Sequence, residues 1–69
     1  MNKTTQQKTF TAILRLPDVK LRTGLSRSTI YLAIKNDQFP KSIQIGLRSV
    51  GWVESEIDSW ILQRIQNRK

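Results

Sequence analysis

The sequence predicts a mainly α-helical domain with one small β-hairpin: three helices and a two-stranded wing around a single core. Three observations predict it. Apolar residues recur at helical spacing in three separate segments. Gly24 and Ser26 punctuate the boundary between the first two segments, as a helix stop and a helix start. Between the second and third segments the apolar period drops to two, over residues 42–52. A chain of 69 residues holds one domain with one small core, and a domain of that size buries only about 60% of its unfolded surface.

Each element has a local reason. Residues 1–11 are rich in Thr, Gln and Lys with almost no apolar content, and are expected to form a flexible arm without the apolar stretch of a signal peptide. Order is expected from Ala12, with Ile13, Leu14 and Leu16 leading in as a short strand. Pro17 suits the first position of a helix, where its missing N–H costs nothing, and Asp18 suits the positive end of the helix dipole. That helix ends near Thr23, because Gly24 is free to adopt positive φ. Ser26 caps the second helix, over residues 27–36, with Leu25 and Ile30 placed to form a hydrophobic staple. Its core face is Ile30, Ala33 and Ile34. Phe39-Pro40 closes it. Ile43 and Ile45 alternate with Ser42 and Gln44, Gly46-Leu47 fits a two-residue type II′ turn, and residues 48–52 return. The last helix begins near Val53. Glu54, Glu56 and Asp58 occupy its first turns and Val53, Ile57, Trp60 and Ile61 form its apolar stripe, with Ile65 at the edge. A helix, a glycine-containing turn and a serine-capped helix followed by a hairpin is the order of a winged helix-turn-helix. The ordered domain is expected over residues 12–66, with a basic tail at 67–69.

Composition narrows the function. Twelve Lys and Arg against five Asp and Glu give a formal charge of +7. A charge of that size on a small domain concentrates polyanions around it. No acid falls between Lys20 and Lys35, so a basic face is expected mid-chain. The absence of Cys and His removes disulfides, the usual zinc sites and the His-dependent nucleophile pairs. Glu54 and Glu56 point to different sides of one helix, so no acid–base pair is expected there. The chain is therefore expected not to be an enzyme, and to use no cofactor, metal or small-molecule ligand. No apolar run approaches the ~20 residues that span a bilayer, and both long helices have mixed faces, so no membrane partner is expected. Lack of cysteine fits a reducing, cytoplasmic setting.

Duplex DNA is the polyanion that this architecture suits. Ser26, Ser28 and Thr29 surround the start of the second helix, where free N–H groups and the dipole attract phosphate; helix capping explains Ser26 equally well. Arg27 could fork onto a guanine edge or a phosphate, or remain a solvated surface residue. Tyr31 could give its hydroxyl to a phosphate or pack half-buried. Lys35 is a candidate backbone contact. In the wing, Arg48 sits beside the tip, with Lys41 and Gln44 in support. Leu32 points outward and could meet a thymine methyl, a neighbouring subunit or solvent. Trp52 and Trp60 follow the buried periodicity and are expected in the core. One reading helix and one wing make a small footprint, so self-association or cooperative binding on DNA is expected. The exposed Leu32 and Leu47 leave a second reading open, a module that acts by binding another regulatory protein.

The runs Leu16-Pro17-Asp18-Val19, Thr23-Gly24-Leu25-Ser26-Arg27-Ser28-Thr29-Ile30-Tyr31, Phe39-Pro40-Lys41, Arg48-Ser49-Val50-Gly51-Trp52 and residues 54–60 together closely resemble the AlpA family of small phage and prophage regulators. The resemblance extends over about residues 14–65. It implies a MerR-like, excisionase-like winged helix in a bacterial cytoplasm, encoded on a mobile element. It also implies a DNA-binding role, as a regulator of an integrase gene, as a recombination directionality factor, or both. The chain departs from the family pattern at Leu32, often basic, at Asp37, often Gly, and at Leu47, often Pro.

Overall fold

The computed structural model describes residues 12–68. The expected arm at 1–11 and the last residue of the expected tail lie outside the described residues. The elements run β1 (Ile13–Leu14), α1 (Leu16–Thr23), α2 (Arg27–Lys35), β2 (Ile43–Gln44), β3 (Val50–Val53) and α3 (Glu54–Gln66). Three helices and a hairpin in this order form the winged helix-turn-helix that the sequence predicts.

Local chemistry sets each boundary. α1 starts one residue earlier than expected, which puts Pro17 in its second position, where an N–H is equally dispensable. Asp18 reaches back to accept the Arg15 backbone N–H at 3.3 Å. At the other end Gly24 takes φ 74° and donates its N–H to Lys20 O. Thr23 stitches the turn: its hydroxyl donates to Val19 O at 2.8 Å and accepts from Leu25 N at 3.2 Å. α2 ends at Lys35, with Asn36 as its cap. Asp37 then adopts φ 57°. Its N–H reaches Ile34 O and the Gln38 N–H reaches Ala33 O, the paired bonds of a Schellman stop with aspartate in the place glycine favours.

The lead-in strand does more than introduce α1. It pairs antiparallel with β3 to make a three-stranded sheet in the order β1-β3-β2, with Leu14 opposite Trp52 and Ile43 opposite Gly51. The Glu54 N–H, left open at the start of α3, donates to Ala12 O at 2.8 Å. Gly51 is buried between the outer strands, where a Cβ would collide with the Ile13 side chain and stand 3.0 Å from Leu14 O.

The hairpin loop corrects one expectation. Gly46 does not take positive φ, so the turn is not type II′. The ladder stops at Gln44–Val50, and Ile45 N–H donates to Ser49 O at 2.9 Å, leaving residues 46–48 as a longer loop. The physical reason lies in Gln44, whose Nε2 donates to Gly46 O at 3.1 Å and to Leu47 O at 3.2 Å. A side chain supplies the donors that a tight backbone turn would otherwise provide.

The buried core is Leu14, Val19, Ile30, Phe39, Trp52 and Ile57, flanked by Leu16, Leu25, Ala33, Ile34, Trp60 and Ile61. Each large apolar side chain so buried contributes about 1.5–3 kcal/mol. Both indoles also tie down the connection between α2 and β2. Trp52 Nε1 donates to Pro40 O at 3.1 Å and Trp60 Nε1 to Gln38 O at 2.8 Å, while Phe39 meets the Trp60 ring edge-on. Arg22 clamps α1 to α3, with Glu54 at 2.5 Å and Asp58 at 2.8 Å. The hydrogen bond to Glu54 is the main cause that raises the Arg22 pKa above its ordinary value.

Candidate nucleic-acid interface

The helix-turn-helix turns the Ile30, Ala33 and Ile34 face of α2 to the core and leaves its other residues exposed. Arg27, Ser28, Tyr31 and Lys35 share one exposed sector, since steps of three and four residues return to the same side of a helix. The sector holds two cations, a hydroxyl and a phenol, and no acid. Ser26 is the N-cap: its Oγ accepts the Thr29 N–H at 3.2 Å and donates to Thr29 Oγ1 at 2.9 Å. Thr29 is therefore half of the cap, and Ser28 Oγ stands 3.5 Å from Ser26 Oγ. The Arg27 and Ser28 N–H groups lie before the first intrahelical hydrogen bond and face outward at the positive end of the helix.

Tyr31 is only 37% exposed. One side of its environment is Trp52, met edge-on with centroids 6.2 Å apart; on the other, the Arg27 guanidinium stands 5.3 Å from the ring centroid. The Trp52 contact was invisible in the sequence, because it joins a helix to a strand with no periodic relation between them. It also fixes where the hairpin sits, since β3 carries Trp52 and is the wing's return strand.

The wing residues separate into three situations. Arg48 is exposed in the loop beside Leu47, which is 90% exposed at the tip. Gln44 is occupied in bracing that tip. Lys41 stands on the connection before β2, with its Nζ 3.8 Å from Asp37 Oδ1. The expected group thus becomes an α2 cluster, an Arg48 tip with Gln44 behind it, and a Lys41 set apart at the root. Leu32 is exposed as expected but turned aside from the Arg27–Lys35 sector, along a shallow groove that it lines with Leu25, Ala33, Trp60 and Arg64. Trp52 is fully buried, whereas Trp60 is partly open beneath the Arg64 guanidinium, 4.8 Å from its ring.

Glu54 and Asp58 of α3 hold Arg22, an interaction that the helix-dipole argument alone did not anticipate. Among the described residues no group of three or more acidic, His or Cys side chains converges as a metal site. No helix among them is long and apolar enough to cross a membrane.

The sequence pattern of the family described as prophage CP4-57 regulatory protein (AlpA) matches residues 12–65. The chain belongs to the AlpA family. Among its family relatives, the DNA-binding transcriptional activator AlpA of Escherichia coli K12 is 50% identical over an alignment that takes in 75% of this chain and 83% of that protein. A protein of Enterobacteria phage P4, named uncharacterized protein ORF88, is 45% identical over 56 residues, 81% of this chain and 64% of that protein. The AlpA pattern thus covers the winged domain from Ala12, whose carbonyl caps α3, to the penultimate residue of α3.

Proposed function

We propose that this AlpA-family chain binds double-stranded DNA at a specific sequence and regulates transcription, reading the major groove with α2 and touching the adjacent backbone or minor groove with the hairpin. The observation that carries the proposal is the acid-free sector of Arg27, Ser28, Tyr31 and Lys35, which runs from the open N-terminal end of α2 to its last residue. The relative named as a DNA-binding transcriptional activator supports the same reading. Within it, Arg27 reads a base edge, Ser28 and Lys35 meet phosphates, the Ser26–Thr29 cap presents the helix terminus, and Arg48 follows the neighbouring groove with Gln44 and Lys41 behind it. Its setting is a bacterial cytoplasm and its targets are those of an integrative element: the integrase promoter, the attachment site, or both. One domain covers few base pairs, so copies bind cooperatively at repeated sites.

The test is a binding titration across salt. With roughly four to six phosphates neutralised, log Kd against log salt has a slope magnitude of about 4–5, binding weakening as salt rises. A salt-independent Kd refutes the proposal. Footprinting on the element's own DNA separates the roles: protection of the attachment site marks excision, and protection only upstream of the integrase gene marks transcriptional control.

A further inference from the structure

We infer that Tyr31 is a positioning residue that orients the Arg27 guanidinium for base readout, with the buried Trp52 as its fixed footing. The inference rests on the DNA-reading role proposed above for Arg27.

A long arginine on the first turn of a helix samples many rotamers, and that freedom is lost when it docks on a base. Here part of the loss is taken before DNA arrives. The Arg27 Cζ stands 5.3 Å from the Tyr31 ring centroid, inside the ~6 Å reach of a cation–π contact. The two residues are four apart on α2, the spacing that stacks side chains on one face. Among the described residues Arg27 forms no ion pair, so its N–H fork stays available for an acceptor outside the protein.

The Tyr31 ring is itself held. It meets Trp52 edge-to-face at 6.2 Å and 65°. Trp52 is fully buried and anchored by its indole bond to Pro40 O. The guanidinium therefore has a position defined relative to β3, the strand that leads back from the wing. A tyrosine serving only as a phosphate contact would need its hydroxyl; a positioning ring needs only its face. That difference makes the two roles separable.

The experiment has a free-protein arm and a DNA arm. In NMR spectra of the full chain, the Arg27 δ-methylene protons shift upfield under the Tyr31 ring current. The shift persists in Tyr31→Phe and collapses toward the unstructured value in Tyr31→Leu. For the DNA arm, the probe is a duplex selected by the wild-type chain from a random-sequence pool, together with its single-base-pair variants. Tyr31→Phe keeps the wild-type discrimination. Tyr31→Leu loses about two- to five-fold at the base pair that Arg27→Ala affects, the range expected of an exposed cation–π contact, with the salt slope unchanged. In an Arg27→Ala background Tyr31→Leu has no further effect on discrimination.

Equal loss in Tyr31→Phe and Tyr31→Leu overturns the inference in favour of the hydroxyl. So does uniform weakening across all duplexes, or additivity with Arg27→Ala. Should Tyr31→Leu lose its cooperative melt, the wild-type and Tyr31→Phe spectra decide, and absence of the upfield shift in the wild type overturns the inference. Discrimination intact in Arg27→Ala refutes the base-reading role and the positioning role together, whereas failure confined to the Tyr31 variants refutes the positioning role alone.

Discussion

Replacing a strand glycine with alanine ordinarily stabilises a protein by roughly 0.5–1 kcal/mol, because glycine loses more backbone freedom on folding. At Gly51 the structure reverses the sign. An added Cβ collides with Ile13 Cγ2, stands 3.0 Å from the Leu14 carbonyl oxygen, and lies 3.4 Å from Ile45 Cδ1. Ile13 is half-exposed and can turn away, but the Leu14 carbonyl belongs to the strand backbone. Relief therefore means moving β1, and β1 carries with it the Ala12 carbonyl that accepts the Glu54 N–H. Overpacking of this kind costs about 1–3 kcal/mol. Offset by the backbone gain, the net loss for Gly51→Ala is about 1–2 kcal/mol, which for a domain this small lowers Tm by roughly 4–16 °C. A thermal melt followed by far-UV circular dichroism measures it. Ile13→Ala, which removes the nearest of these three contacts, should recover part of the loss when combined with Gly51→Ala. A Gly51→Ala protein that melts at or above the wild-type temperature refutes the close-approach argument.

Asp37→Gly should raise Tm by about 2–6 °C, because it relieves a left-handed aspartate and gives up only an exposed ion pair with Lys41. Ser26→Ala should lower stability by about 1 kcal/mol through loss of the Thr29 cap, read as a lower urea midpoint at unchanged m-value. Arg22→Gln should lower Tm more at 20 mM salt than at 1 M, since the Glu54–Asp58 clamp lies at the surface where ions screen it; equal losses at both salts would contradict its electrostatic basis.

Much of the fold was legible because short-range chemistry determines it. Gly24 and Ser26 state where α1 stops and α2 starts. The hairpin was legible as a change of period, but its turn was not. Gly46 signalled a tight turn, and only the position of the Gln44 amide, whose partners are backbone carbonyls two and three residues on, reveals the longer loop. The pairing of β1 with β3 was illegible for another reason: two residues of strand carry no pattern, and their partner lies across the whole helix-turn-helix. The candidate site divides the same way. The α2 cluster was readable from helical spacing, whereas the footing of Tyr31 on Trp52 and the binding of Arg22 by α3 acids are long-range contacts that no local rule encodes.

The two indole bonds to the residue 38–40 connection have an optical consequence. The chain's two tryptophans both anchor one short stretch of backbone, one from inside the core and one from its border. Ultraviolet emission of this protein is therefore a native gauge of whether helix and wing stay in register. Displacing that stretch would free both indoles at once and move their emission together, whereas contact at the protein's outer edge would reach only the one that lies beneath Arg64. Wing movement during complex formation can be followed in the unlabelled chain, with no dye added and no residue changed.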